Sequence, residues 1–271
     1  MVNDSEYNPA MAAIRPPAVA GLFYPEDSGQ LTDMVKGLLG AAQTSLSAPK
    51  AIIAPHAGYV YSGPVAANAY ARLLGARDTI RRVVLLGPSH RHPFEGLAAS
   101  SADAFASPLG LVPQDREARQ ALTRLPKVKV LDQAHQQEHS LEVHLPFLQT
   151  VLHDFTVIPL VVGDAAPGLV GEVLEAVWGG RETVIVVSSD LSHYLDYETA
   201  IRVDSATSRA IESMRPEDID YHHACGRNPI NGLLYTARRK GLTAQTIDVR
   251  NSADTAGPRH QVVGYGAYVF E

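Results

Sequence analysis

The chain has a single cysteine, Cys225, among its 271 residues, so no intramolecular disulfide can form. A lone thiol is most often a small core hydrophobe, and otherwise a nucleophile or a metal ligand. Basic residues are scarce relative to acidic ones, 23 against 29, for a formal net charge of −6. That balance excludes a general nucleic-acid or membrane-surface binder, which needs a concentrated basic face. No apolar run approaches the ~18 residues that span a bilayer. The polar start MVNDSEYNPAM lacks a basic stretch followed by an apolar one, so a cytoplasmic protein without a secretory signal is expected. Walker and GxGxxG loops are missing, which argues against nucleotide binding, and no HEXXH is present. Ser188-Ser189 lacks a GxSxG elbow, which argues against a serine hydrolase. There is no internal repeat, and no linker rich in Pro, Gly or Ser divides the chain.

What the chain does have is three short apolar runs that stop at Pro, Gly or Ser, each followed at once by an ionisable side chain. They are KAIIAPH (Lys50–His56), RVVLLGPSH (Arg82–His90) and TVIVVSSDLSH (Thr183–His193). Continuous apolar runs of this length suit parallel strands covered by helices on both faces. Ligands of such sheets bind beyond the carboxyl ends of the strands. His56, His90, Asp190 and His193 are therefore expected on one rim, the predicted functional centre.

Around these runs strand and helix patterns alternate. Residues 1–13 read as a flexible tail and residues 14–271 as a single α/β domain with a mixed sheet. Prolines exclude helix from Ile14–Pro25, whose Phe23 and Tyr24 could line a pocket. Ser28 reads as the cap of a helix carrying Leu31, Met34, Val35, Leu38 and Leu39, and Ala41–Pro49 as a loop. Ser62-Gly63-Pro64 reads as the start of the next helix, and residues 94–114 as a hairpin-like excursion. The second half of DQAHQQEHSLEVH (Asp132–His144) is predicted helical towards Leu148, with Pro146 distorting it. A helix over roughly 197–213 has Ile201, Ala206, Ala210 and Ile211 available for the core. Asn228-Pro229 opens a helix that Gly241 closes, and strands Thr243–Val249 and Val262–Phe270 complete the chain.

His56 and His90 are the strongest chemical pair, because two imidazoles at one sheet edge need one anionic partner to make a three-ligand site. Asp190 would complete a two-histidine, one-carboxylate set with open positions, as in non-haem Fe(II) oxygenases, whereas Cys225 would give a softer set tolerant of iron, copper or zinc. Asp190 either orients His193 as half of a general-base pair or caps a helix beginning near Leu191. Glu138 and His139 either point into the crevice as secondary groups or belong to a solvated helix surface. Tyr59, just after His56, and Arg227, beside Cys225, are further pocket candidates, and Arg227 could clamp an anionic substrate.

The blocks APHAGYVYSGPVAANAY, LLGPSHRHPFEG, EHSLEVHLPFL, VVSSDLSHY and CGRNPI, in this order, closely resemble the Memo family, known in prokaryotes as protein B of the AmmeMemoRadiSam system. The likeness runs from Arg15 onward and includes AGLFYP and the closing VGYGA. It implies an α/β sandwich similar in fold to the LigB-type class III extradiol dioxygenases, a non-haem iron group. It places metal ligands at His56, His90 and Cys225, with Asp190 and His193 as the other polar residues of the pocket. His193 matches the acid–base histidine of the dioxygenases, Cys225 stands where they have glutamate, and Phe23 where some relatives have tryptophan. The implied function is that of a dioxygenase-like oxidoreductase holding Fe(II), or alternatively Cu or Zn, and acting on a small chelating substrate. The alternative is a non-catalytic iron- or copper-binding redox protein, or one that holds a peptide. The resemblance also implies a pathway link to a radical SAM protein and an AMMECR1-like protein.

Overall fold

The computed structural model describes residues 13–42 and 48–271. In chain order these residues form β1 (Ile14–Arg15), α1 (Ser28–Gly40), β2 (Ala51–Ala54), α2 (Tyr59–Tyr70), β3 (Arg82–Pro88), β4 (Leu97–Ala99), β5 (Ala104–Ser107) and β6 (Gly110–Pro113). There follow α3 (Arg116–Leu122), β7 (Val128–Val130), α4 (Asp132–Gln136), α5 (Leu145–Val151), β8 (Thr156–Val162), α6 (Pro167–Ala176), β9 (Thr183–Ser188) and β10 (Asp190–Leu195). The chain closes with α7 (Tyr197–Glu212), α8 (Arg227–Lys240), β11 (Ala244–Asn251) and β12 (Val262–Phe270).

The apolar runs become the centre of a nine-stranded mixed sheet ordered β10-β12-β2-β9-β3-β8-β4-β7, with β11 paired to β12. β2, β9, β3 and β8 are mutually parallel, and antiparallel strands flank them on both sides. Both faces are covered, which is why these runs do not alternate with polar residues. Ile52, Leu85 and Val186 pack towards α1, α2 and α5; Ile53, Val84 and Ile185 pack towards α6, α7 and α8. A small second sheet joins β1, β5 and β6. The α/β mixed-sheet sandwich read from the sequence is the observed fold.

Several boundaries differ from the sequence reading. Asp27, not Ser28, caps α1, its carboxylate accepting the Gln30 N–H at 2.8 Å. α2 begins at Tyr59, one turn before the Ser62-Gly63-Pro64 signal, and holds Pro64 inside. The carbonyl deprived of a partner by Pro64 belongs to exposed Val60, where solvent is available to replace it. In DQAHQQEHSLEVH the first half also forms a helix, α4, while the second ends in a 3-10 turn, Glu142–His144, that continues into α5 through Leu148 as expected; Pro146 falls in the first turn of α5, where proline is tolerated rather than distorting. The 94–114 stretch does contain a hairpin, β5–β6, but β4 joins the main sheet beside β8. On α7, Ala210 and Ile211 are buried as expected and Ala206 is half-buried. Ile201 is exposed, while Asp204 is buried and accepts the Ser192 N–H of β10 at 3.0 Å. Residues 1–12 of the expected tail and 43–47 of the expected loop lie outside the described residues.

The N-terminal segment is tied down by one carboxylate. Glu142, wholly buried, pairs with Arg15 and accepts the Ala18 N–H at 2.7 Å, the Val19 N–H at 2.9 Å and the Tyr24 hydroxyl at 2.6 Å. Arg15 is itself buried, so removing the carboxylate strands a cation and three other donors. Glu142→Ala is therefore expected to cost about 3–5 kcal/mol, the usual penalty for an uncompensated buried charge. A urea unfolding midpoint indistinguishable from wild type would refute this.

Candidate metal centre

Because β2, β9 and β3 are neighbours and parallel, their carboxyl ends share one edge, and the residues that follow them meet there. His56 and His90 approach edge to face with ring centroids 5.1 Å apart. A third imidazole joins them. His139 lies 5.4 Å from the His56 ring and stacks on His90 at 4.8 Å, and ligand atoms of all three fall within 4.8 Å of one another.

Hydrogen bonds set which nitrogen each imidazole presents. The Ser188 hydroxyl donates to the Ser140 carbonyl at 2.6 Å, so towards His56 it acts as an acceptor, taking the Nδ1–H at 2.6 Å. His90 donates its Nδ1–H to Glu138 at 2.9 Å, and the same carboxylate accepts the backbone N–H groups of His90 and Ser140. His193 donates its Nδ1–H to the Leu191 carbonyl at 2.8 Å. Each of the three rings is left with a bare Nε2, the form that binds an ion or a proton.

Charge states agree. Burial holds His56 well below its ordinary 6.5, reinforced by the neighbouring imidazoles. Burial likewise takes His139 down to about 4. Against burial, the hydrogen bonds from His90 and Ser140 pull Glu138 down to about 2, so it is a firm carboxylate. Burial raises the Cys225 thiol, and the nearby Asp190 charge adds to the shift. Burial also raises Asp190 itself.

Cys225 reaches this cluster from the start of α8. Its Sγ stands 3.4 Å from His56 Nε2, and the Gly226 N–H behind it donates to Ser189 Oγ at 3.0 Å. A Cβ at position 226 would sit 2.6 Å from the Ser188 carbonyl, so glycine is what lets this turn press against the end of β9. Asp190 Oδ2 lies 3.9 Å from His56 Nε2.

The donors fit a first-row transition ion. Bonds of about 2.0–2.1 Å to nitrogen and about 2.3 Å to sulfur place neighbouring donors roughly 3.3–3.6 Å apart. The Cys225–His56 separation already matches, whereas the ligand atoms of the three imidazoles, within 4.8 Å of one another, would draw together around an ion. Two buried acids facing neutral imidazoles also make a pocket that a cation stabilises.

Other expectations are redistributed. Asp190 opens a strand and caps no helix; its Oδ1 accepts the His56 N–H at 2.8 Å. The tautomer of His193 is fixed by Leu191 rather than by Asp190. A register shift on either side of His193 in the β10–β12 pairing re-aims this side chain, and Tyr194 beyond it has φ 60°. Glu138 is buried rather than part of a solvated helix surface. Phe23 packs on His139 at 4.8 Å. Tyr59 does not line an open pocket: it is 3% exposed, between Tyr24 and Phe147, and its hydroxyl donates to the Val143 carbonyl. Ser188 was not a site candidate in the sequence, although its position at the end of the third apolar run is the signal that it would face the rim.

The fold and the site together define an α/β protein with a histidine cluster able to hold a metal ion at its strand ends. A sequence profile of Memo-like proteins matches residues 15–269. A "MEMO1 family protein" of Aquifex aeolicus is 36% identical over 269 residues, spanning 95% of this chain and 99% of its own. A "MEMO1 family protein" of Aeropyrum pernix is 38% identical over 280 residues, with 94% and 98% covered. The chain belongs to the Memo family. In structure it is similar to the uncharacterized protein JW3007 from Escherichia coli K12, with a TM-score of 0.51 and 12% identity over 81% of this chain and 98% of that one, a likeness of fold alone.

Glu138→Gln weakens the acceptor that orients His90, and is expected to lower metal affinity about 10–100-fold. Competition titration against a chromophoric chelator measures this, and an unchanged affinity would overturn the assignment. Acid stability follows from the buried imidazoles. His135 and His139 are held at about 4 and His144 at about 3, all chiefly by burial, against an ordinary 6.5. The unfolded chain takes up these protons first, so their contribution to stability is complete above about pH 6.5 and lost as pH falls towards 4. The metal-free protein's urea midpoint should drop across that window; a flat profile would contradict the buried neutral state.

Proposed function

We propose that this chain is a metal-dependent oxidoreductase of the non-haem iron kind, acting on a small chelating molecule. The observation supporting it is the gathering of the His56, His90 and His139 imidazoles and the Cys225 thiol at one strand-end rim, with the Nδ1–H of His56 and of His90 each committed to a fixed acceptor. A bound Fe(II) would supply open coordination positions and a one-electron couple. His56 and His90 hold the ion in this reading, with Cys225, Asp190 or His139 completing the set. His193, its Nδ1–H occupied by Leu191, is the group free to accept a substrate hydroxyl proton at Nε2 and return it. Phe23, packed on His139, limits water on that side of the site. The resemblance of the Memo family to LigB-type dioxygenases supports a substrate of catechol type, whose two oxygens suit adjacent positions.

A second reading, a non-catalytic iron- or copper-binding redox protein, is favoured by the closeness of the Cys225 sulfur to His56, a soft pairing suited to Cu(I). Anaerobic loading with Fe(II) followed by oxygen-uptake measurements on catechols separates the two. The enzyme reading expects one ion per chain, oxygen consumption with substrate, and loss of both in His56→Ala. Stoichiometric iron binding with no oxygen consumed by any diol overturns it. Calorimetry near pH 7 in buffers of different ionisation enthalpy identifies the third ligand. Ligation by Cys225 releases about one proton that Cys225→Ser abolishes, because its raised thiol is protonated beforehand.

A further inference from the structure

A cavity of about 690 Å³ opens directly beside the cluster, within the size range of small-molecule sites. His90 and Cys225 line it together with Tyr221, Arg227 and Asn228. The guanidinium of Arg227 lies over the Tyr221 ring, 5.4 Å from its centroid. Seven other arginines pair with carboxylates among the described residues, and Arg227 is not one of them. A guanidinium held near an aromatic ring without a carboxylate partner keeps N–H donors available, and its planar fork is the geometry that matches a carboxylate bidentately.

The mounting of Arg227 is rigid. Gly226 is anchored to Ser189, and the Asn228 side-chain amide donates to the Gly163 carbonyl at 2.7 Å, beyond the end of β8. No side chain caps the first turn of α8, so this wall also carries the positive end of a helix. Two acids line the same cavity. Glu95 is neutralised by Lys127 at 2.7 Å, and Asp164 is exposed, where water screens it.

We infer that Arg227 is a specificity-determining residue that receives a carboxylate on the substrate's distal end, so that the molecule taken by this site is an anionic chelator rather than a neutral one. This rests on the metal-centre reading above: the chelating head faces His90 and Cys225 while the acid group pairs with Arg227 in the same cavity. The step is recognition only, and no bond is made or broken at Arg227.

The test compares binding of catechol with that of 2,3- and 3,4-dihydroxybenzoate to the Fe(III)-loaded full chain, read from the catecholate-to-iron absorption band. A charge-assisted pair is expected to make at least one of the acids bind about tenfold or more tighter than catechol. Arg227→Gln should bring that ratio close to one with catechol affinity unchanged, and Arg227→Lys should restore part of it. Equal affinities in the wild type, or a ratio unaltered in Arg227→Gln, would overturn this inference and leave the metal centre standing. No absorption band with any of the three compounds would overturn the metal-centre reading, and this inference with it.

Discussion

The pairing of β9 between β2 and β3 is the constraint on which the site depends. Parallel pairing in this register ends the three strands at one level, and every residue that follows them is delivered to one edge. The buried runs Ile52–Ile53, Val84–Leu85 and Ile185–Val186 supply the apolar contact that holds the register, since a one-residue slip would exchange the two packed faces. The chemistry at the rim is therefore positioned by the most rigid part of the molecule.

A second layer converts that position into a chemical state. Ser188, Glu138 and the Leu191 carbonyl each take one imidazole proton and leave the opposite nitrogen bare. None of these acceptors need touch an ion to matter. Burial then lowers the basicity of His56 and His139, leaving their lone pairs free, while it raises the Cys225 thiol and Asp190, which hold their protons more tightly. Glu138 is the exception, kept ionised by three hydrogen bonds although it is buried.

Much of this was legible in the sequence. Apolar runs without alternation announced parallel strands, and the residues after them marked the rim, because both follow from local period and turn chemistry. Gly241 closes α8 with φ 72°, as glycine at a helix end implies. What stayed hidden depends on contacts across the chain. Glu138 and His139 suited a crevice position and a solvated surface alike, and only the fold shows Glu138 buried and bonded to His90, with His139 stacked on that ring. Asp190 has a sequence context equally suited to a helix cap, and the β10–β12 pairing decided otherwise. The start of α2 differs because proline usually marks a first turn, whereas here Pro64 lies inside the helix, one turn after the exposed residue Val60.

β12 pairs on one side with β2, which lies far earlier in the sequence, and on the other with β10 and β11. The cysteine and the imidazole nearest it are likewise 169 residues apart in the chain. Such non-local closure means that a nascent chain displays isolated histidines long before it has a chelating pocket. An ion held there would therefore meet a site assembled only after distant segments have folded together, and could not guide folding from its start.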